Sequence, residues 1–279
     1  IQLDDFLRIK EDRIYKNTLE TKRWAADPLR HQSDFDALFR RSSFFKPTEF
    51  SFQNYRVDGS EIFRHPGNLY REYKAVNRDD PHARALLRRW DFSQLGTAAS
   101  THQEWVNIAQ RESRVYSYVK SKTDALDGTL LQPISPVAAD QVTSDHCELF
   151  DLPTKQKRLF EFIEFYRNKL PLRDRIGLTK VLISKFAELH LAGVAHRDIG
   201  DHCVWLERPQ SIRLSGFVAA YLPEMKTVGS IRDRISAITT RLPEDELGDE
   251  YATPFHRDVF LLAVISNILL FGQAPELEG

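Results

Sequence analysis

The sequence predicts an α+β fold in which short strands come first and helices follow. Three short, partly alternating segments lie between residues 50 and 76, separated by turn signals rich in glycine, aspartate and proline. Helical spacing of apolar residues dominates after residue 155. Strands followed by helices are typical of a fold with one region rich in strands and another rich in helices, and not of an alternating β/α sheet.

The first 48 residues are predicted to form a helical N-terminal extension, because charged residues surround apolar ones at helical spacing and Asp27-Pro28 interrupts the pattern. Three antiparallel strands are predicted to follow, and the segment from Ala83 to Trp90 fits either a short helix or a further strand. The predicted strands and the turns between them are 50–57, Asp58-Gly59, 60–63, Pro66-Gly67-Asn68 and 69–76.

Four helices are predicted after the first strands. Thr101, with Glu104 three residues later, has the pattern of a capping box and predicts a helix over 101–121. Short strands and loops are expected at 129–152 and 194–222. The remaining predicted helices are 155–168, 172–192 and an apolar helix at 255–271.

Composition narrows the class of function. Lysine and arginine total 39 against 40 acidic residues, so no basic surface for nucleic acid is predicted. The two cysteines, Cys147 and Cys203, exclude a disulfide framework and favour a reducing, cytoplasmic location. The most apolar run, Val259–Phe271, is shorter than the roughly 20 residues that cross a bilayer. No membrane association is expected, and a first residue that is not methionine suggests a piece of a longer protein.

The most specific stretch runs from Ala187 to Leu206 and contains His196-Arg197-Asp198. A predicted amphipathic helix ends just before it at Leu189-His190, and two strand-like segments, Val204–Leu206 and Ile212–Leu214, follow it. This arrangement resembles the catalytic loop of protein kinases. The resemblance covers roughly residues 50 to 279.

The resemblance implies a protein-kinase-like fold of two lobes. The N-lobe, an antiparallel sheet with a helix, is expected at 49–152, and the mainly helical C-lobe at 153–279. Asp258-Val259-Phe260 resembles the family's segment whose aspartate binds back to the catalytic-loop backbone. Full kinases continue with several more helices after that segment, so the resemblance implies an incomplete C-lobe.

The resemblance also assigns roles within the loop. Asp198 matches the catalytic base, Arg197 the arginine beside it, and His196 a packing residue. Phosphoryl transfer depends on positioned phosphates, metal ions and a base near the acceptor hydroxyl. The alternative is a purely structural role for all three residues, because degenerate kinases often keep this turn.

The family's metal ligands are missing from this sequence. Gly200 stands where kinases place a lysine facing the γ-phosphate, and Cys203 where they place an asparagine that binds magnesium. Gly216 replaces the aspartate of the Asp-Phe-Gly motif. Thiols are poor ligands for a hard cation such as magnesium. The sequence therefore predicts no metal site, with Asp201 as the one alternative ligand.

The nucleotide-contacting residues of the N-lobe are assigned by counting strands. Lys74, near the end of the third predicted strand, takes the place of the kinase lysine, and Arg88 is the alternative. Glu112 is the expected partner on the following helix, with Glu104 as the fallback. Asp151 lies in the expected hinge and would line the nucleotide slot. The spacing of a glycine-rich phosphate loop is absent.

These features predict a pseudokinase: a regulatory or docking module with weak or no nucleotide binding. ATP and Mg²⁺ are the cofactors the resemblance implies, and the missing ligands weigh against both. The alternative is an active atypical Ser/Thr kinase that uses Asp198. The expected partners are other domains of the parent chain or another protein, because the sequence resembles kinase-like domains of large bacterial multidomain proteins, including helicase-associated and defence proteins.

Two further readings come from other classes of site. Asp58 with Glu72-x-Lys74 matches the spacing of a nuclease metal site, although the motif is short. The consecutive residues from His196 to Cys203 could be read as a zinc site. Residues of one turn seldom converge on one ion, and the usual zinc spacings are absent.

Overall fold

The protein is α+β, as the sequence predicts. In a computed structural model of the chain, the residues described are 50–99, 101–134, 138–153, 155–166, 169–207, 211–223, 225, 232–238 and 253–272. The chain divides into two compact units, Ile1–Thr48 and Glu49–Gly279, and every described residue belongs to the second. The helices predicted within 1–48 lie outside the described residues.

Five antiparallel strands form the larger sheet, and they are ordered in space as they are in the sequence. Central strands carry apolar side chains on both faces, so the sheet has packed layers on each side. The strands are β1 (Ser51–Phe52), β2 (Tyr55–Arg64), β3 (Tyr70–Asn77), β4 (Arg84–Asp91) and β5 (Asp145–Asp151).

The predicted turn at Asp58-Gly59 is wrong, because β2 runs through it as one strand. The pairing of β2 with β3 shifts register between Val57 and Glu61, and Gly59 has a φ of 99°. A bulge absorbs extra residues without ending the strand, and a glycine accommodates the positive φ. The ambiguous segment that includes Arg88 is a strand, β4. Lys74 lies on the third strand of the sheet, as predicted, and Arg88 lies on the fourth.

Two consecutive helices, α1 (His102–Ala109) and α2 (Arg111–Lys122), connect β4 to β5. The predicted capping box is confirmed: the Thr101 side chain accepts a hydrogen bond from the Glu104 N–H, and the Glu104 side chain accepts one from the Thr101 N–H. The helices separate at Gln110. Val115 and Val119 of α2 pack into the main apolar core.

The second half of the chain contains a small sheet and several helices. β6 (Lys157–Arg158), β7 (Val204–Glu207) and β8 (Ser211–Leu214) pair antiparallel. The longest helix among the described residues, α4 (Leu172–Leu191), buries Leu182, Phe186 and Leu189 in the main core. The helices described here are α3 (Leu159–Tyr166), α4 (Leu172–Leu191), α5 (Arg232–Ile235) and α6 (Pro254–Phe271).

Helix α6 is the one described helix that is long and apolar enough to cross a membrane by length and composition. Its Leu261, Ile265 and Leu269 are buried in the core that also contains α4. A core helix passes the same test of length and composition, so α6 is weak evidence for a membrane span. Val259 and Phe271 on the same helix remain more than half exposed.

Candidate functional site

The loop between α4 and β7 is built around a buried, neutral histidine. His196 has no exposed surface, its Nε2 lies 2.9 Å from the Ser215 carbonyl oxygen, and its Nδ1 accepts from the Asp198 N–H at 3.3 Å. One ring nitrogen thus donates while the other accepts. Burial lowers the pKa of His196, which keeps the ring neutral. The His196 ring is therefore buried and hydrogen-bonded within the loop.

Asp258 at the start of α6 fixes the loop backbone. Its two carboxylate oxygens accept the N–H groups of His196 and Arg197, each at 2.6 Å. His190 Nε2 lies 3.0 Å from the same carboxylate. Arg197 has a φ of 67°, which is unusual for a residue other than glycine, and the two hydrogen bonds hold that conformation. The binding of Asp258 to this backbone is therefore as the sequence pattern indicated.

Asp198 is fully buried, and its carboxylate accepts hydrogen bonds from groups of the same chain. Its two oxygens accept the backbone N–H groups of Ala237 at 2.9 Å and Ile238 at 2.8 Å. His202 Nε2 lies 3.4 Å from one of them. Burial by itself would raise the pKa of Asp198, but the contacts with His202 and the two N–H groups outweigh it, and the pKa is lowered. The aspartate has the environment of a structural anion.

Gly200 and Cys203, which stand where the resemblance would place a phosphate-facing lysine and a magnesium-binding asparagine, are hydrogen-bonded to each other. The Gly200 N–H donates to Cys203 Sγ at 3.3 Å, and Sγ donates back to the Gly200 carbonyl at 3.2 Å. Burial raises the pKa of the Cys203 thiol, so it is not a thiolate ligand. Asp201 is exposed on the adjacent turn. Within the described part of the chain, no three His, Cys, Asp or Glu side chains are grouped so that they could hold a metal ion.

Arg88, on β4, is the centre of a buried ionic cluster. Its Nε donates to Glu72 at 2.8 Å, and its Nη1 donates to Glu112 at 2.5 Å and lies 3.5 Å from Glu148. Glu72 uses its second oxygen to accept from Arg158. All five side chains are at least nine-tenths buried. This ionic cluster is defined by Arg88, Arg158, Glu72, Glu112 and Glu148.

Two carboxyl groups of the ionic cluster have pKa values shifted in opposite directions. Burial would raise the pKa of Glu72, but Arg158 and Arg88 outweigh it, and the pKa is lowered. Glu148 has the opposite outcome, because burial outweighs Arg88 and the hydrogen bond from Trp90 and raises its pKa to about 8. Glu148 is therefore largely protonated at neutral pH, and two arginines face two carboxylates.

The structure corrects the expected pairing of Lys74 with Glu112. Lys74 Nζ lies 3.7 Å from Glu161, and about a third of each side chain is exposed. Arg88, the alternative raised from the sequence, reaches Glu112 because β4 lies between β3 and β5 and faces α2. The fallback partner Glu104 stays in the capping box of α1. Asp151 is exposed at the end of β5, where its N–H donates to Gln132 at 2.8 Å.

Aromatic side chains occupy the space where the two sheets meet. The Arg158 guanidinium carbon lies 5.1 Å from the centroid of the Phe63 ring and 4.6 Å from that of Trp205. Phe63 also stacks on His202, with ring centroids 5.0 Å apart. Trp205 is fully buried with Leu86 and neighbouring apolar residues. Cation and ring contacts of this kind stabilise a guanidinium most strongly when it is desolvated.

Several of these residues carry no recognisable signal in the sequence. Arg158 is one of several charged residues in a charged stretch, and Glu72 lies in a strand where exposed glutamates are common. Their pairing depends on contacts between residues 86 positions apart. Phe63 and Trp205 could have been predicted to be buried, but not to enclose an arginine.

The nuclease reading finds no assembled site. Asp58 pairs with Arg84, both oxygens of Glu72 accept from arginines, and Lys74 pairs with Glu161. A metal site would need carboxylate oxygens directed at one point. These three side chains are engaged separately.

Fold and site together define an α+β domain with a capped, buried aspartate and a buried ionic centre between two sheets. No family model matches the chain, and no curated protein matches it. The function is therefore argued from the site alone.

Proposed function

We propose that this chain is a kinase-like domain without phosphoryl-transfer activity, a pseudokinase that works as a regulatory or docking module. The observation that carries the proposal is that the groups a kinase would offer to ATP and magnesium are bonded to one another. Asp198 is capped by backbone N–H groups, and Arg88 and Arg158 are held in the ionic cluster.

Support for the kinase-like fold comes from topology and from one buried ion pair. β2, β3, β4 and β5 are adjacent in space, and the α1–α2 helices enter between β4 and β5. The ion pair of Arg88 with Glu112 takes the place of the lysine and glutamate that must pair in active kinases. Arginine presents a planar fork of donors, so it can bind several carboxylates at once. The kinase lysine in this position is a compact ammonium that contacts phosphate.

The filled space between the sheets supports weak or absent nucleotide binding. A nucleotide placed there would have to displace Arg158 from between Phe63 and Trp205, leaving the Glu72 carboxylate with one of its two cations. Breaking one partner out of a buried ion pair typically costs about 3–5 kcal/mol. A millimolar ligand supplies about 4 kcal/mol of binding free energy, so most of it would be consumed by this rearrangement.

A docking role is supported by exposed apolar side chains on the helical side of the domain. Leu172, Ile176 and Ile183 on one side of α4 are each at least 40% exposed, and Leu191 at its end is 83% exposed. Large apolar side chains exposed along one side of a helix favour contacts with another protein or domain. The partners proposed are other domains of the parent chain or a separate protein, in a cytoplasmic setting.

The alternative function is an atypical Ser/Thr kinase that uses Asp198 as base and Asp201 as metal ligand. The bonding of Asp198 opposes it, because a base must be within reach of the hydroxyl proton it removes. Both oxygens of Asp198 already accept backbone N–H groups. We therefore favour the pseudokinase.

Thermal unfolding with ATP tests the proposal. The chain is melted with ATP at millimolar concentration, with and without magnesium, and incubated with a generic protein acceptor to detect phosphate transfer. The proposal predicts no magnesium-dependent rise in melting temperature and no transfer. A magnesium-dependent rise that disappears in Asp198→Asn and in Asp201→Asn, with transfer to the acceptor, would establish the atypical kinase instead. Asp174→Asn, on α4, is the matched carboxylate control.

A further inference from the structure

A small cavity of about 230 Å³ lies between the turn that joins β2 to β3 and the segment that contains Ser236. It is separate from the ionic cluster, since none of the five residues of that cluster lines it. Its walls include residues from three parts of the chain. The lining residues used in the argument are His65, Gly67, Gln94, Leu95, Arg234 and Ser236.

The wall formed by His65 is neutral. Its Nε2 lies 3.0 Å from the Ser236 carbonyl oxygen, and its Nδ1 accepts from the Gly67 N–H at 3.1 Å. Only a neutral ring with the proton on Nε2 satisfies both bonds. Burial, the largest influence, lowers the pKa of His65, while the charge of Asp198 acts to raise it and that of His202 to lower it.

Another part of the cavity lining carries a positive charge. Arg234 lines the cavity, and its Nη2 donates to the Gln94 carbonyl at 3.0 Å. Arg234 is the one charged side chain among the described lining residues, and no carboxylate is among them. A cavity with one cation and no anion favours a negatively charged occupant.

A buried hydroxyl gives a second, independent indication of a ligand. Ser236 is 3% exposed, and its Oγ has no hydrogen-bond partner among the described residues. Buried polar groups are nearly always hydrogen-bonded, so such a group calls for a partner that the described residues do not supply. A hydroxyl donates readily to an oxyanion, and the bond is stronger when the acceptor is charged.

We propose that this cavity binds a small oxyanion, a phosphate or a carboxylate group, held by the Arg234 guanidinium and the Ser236 hydroxyl. The ligand would bind the β2–β3 turn to the segment 234–238. That segment also supplies the Ala237 and Ile238 N–H groups that cap Asp198. Binding therefore stabilises the capped state of Asp198. The inference does not depend on the pseudokinase proposal.

The test is thermal unfolding of the whole chain in sodium phosphate, sodium acetate or sodium chloride at equal ionic strength. At a tenfold excess of ligand over its dissociation constant, the melting temperature should rise by about 3 °C relative to chloride. Arg234→Met should weaken binding at least tenfold, and Ser236→Ala about fivefold. Arg173→Met, which removes an exposed arginine from α4 outside the cavity, should bind like the wild type.

The three salts identify the class of ligand. If only phosphate raises the melting temperature, the site binds phosphate, and if only acetate does, it binds carboxylates. If both do, the site binds small oxyanions in general. Equal melting temperatures in all three salts overturn the proposal, and so does a rise that Arg234→Met and Ser236→Ala leave unchanged. If Arg234→Met does not fold, as judged by circular dichroism, the test rests on Ser236→Ala, which removes a single oxygen atom.

Discussion

Replacing Arg88 with methionine is the sharpest perturbation of the ionic cluster. Arg88 has no exposed surface and contacts the carboxyl groups of Glu72, Glu112 and Glu148. Methionine fills much of the space without the charge. Glu112 would lose its cation while keeping the hydrogen bond from the Gly216 N–H at 2.8 Å. A buried charge left without its partner costs about 3–5 kcal/mol.

Lys74→Met is the matched control, because the sequence offers Lys74 and Arg88 for the same role. Lys74 Nζ lies 3.7 Å from Glu161, with 36% and 28% of the two side chains exposed. Solvent-exposed pairs contribute about 0–1 kcal/mol. Urea unfolding followed by circular dichroism should therefore show a large loss of stability for Arg88→Met and little change for Lys74→Met. The melting temperature of Arg88→Met should fall by roughly 10 °C.

The pH dependence of the Arg88→Met effect provides an internal check. Without the guanidinium, the folded-state pKa values of the neighbouring carboxyl groups rise, which penalises folding at pH values above them. Protonation removes that penalty, so the stability gap between variant and wild type should narrow as the pH falls from 8 to 5. Equal losses in Arg88→Met and Lys74→Met, or a gap independent of pH, would refute the reasoning.

Three further outcomes are expected. Gly216→Asp should not create magnesium-dependent nucleotide binding in melting assays and should cost roughly 1–2 kcal/mol in urea unfolding. Gly216 has a φ of 79°, an added Cβ would lie 3.4 Å from Cys203 Cβ, and a new carboxylate would face Glu112. Asp258→Ala should cost about 3 kcal/mol and remove the hydrogen-exchange protection of the two loop amides it accepts; retained protection would contradict this. Burial lowers the pKa of His146 from 6.5 to about 4. The unfolded chain therefore takes up a proton first, and the free energy of unfolding should decrease as the pH falls from 6.5 to 4. In urea titrations at several pH values, His146→Phe should reduce this pH dependence.

The sequence allowed the order of strands and helices to be predicted because local signals determine them. The capping box at Thr101 and the long apolar spacing of α4 are examples. Asp58-Gly59 led to a predicted turn within β2, since the same dipeptide suits a turn or a bulge and the choice depends on pairing with β3. Arg88, and not Lys74, reaches Glu112 because of how the strands pack against α2, which the sequence alone does not determine.

The residues of the loop could be predicted from the sequence, but the groups that contact them could not. Asp258 could be associated with the loop because a known pattern relates the two. The caps on Asp198 come from Ala237 and Ile238, and backbone N–H donors carry no side-chain signature. The enclosure of Arg158 by Phe63 and Trp205 likewise depends on distant segments packing together. Long-range contacts of this kind are set by the folded chain as a whole.

Amide hydrogen exchange at Ala237 and Ile238 tests most directly whether Asp198 is a structural acceptor. The account predicts strong protection of both amides in the wild type, loss of that protection in Asp198→Ala, and no change when ATP and magnesium are added. Exchange at the rate of an unstructured chain, or protection that changes when ATP and magnesium are added, would contradict it.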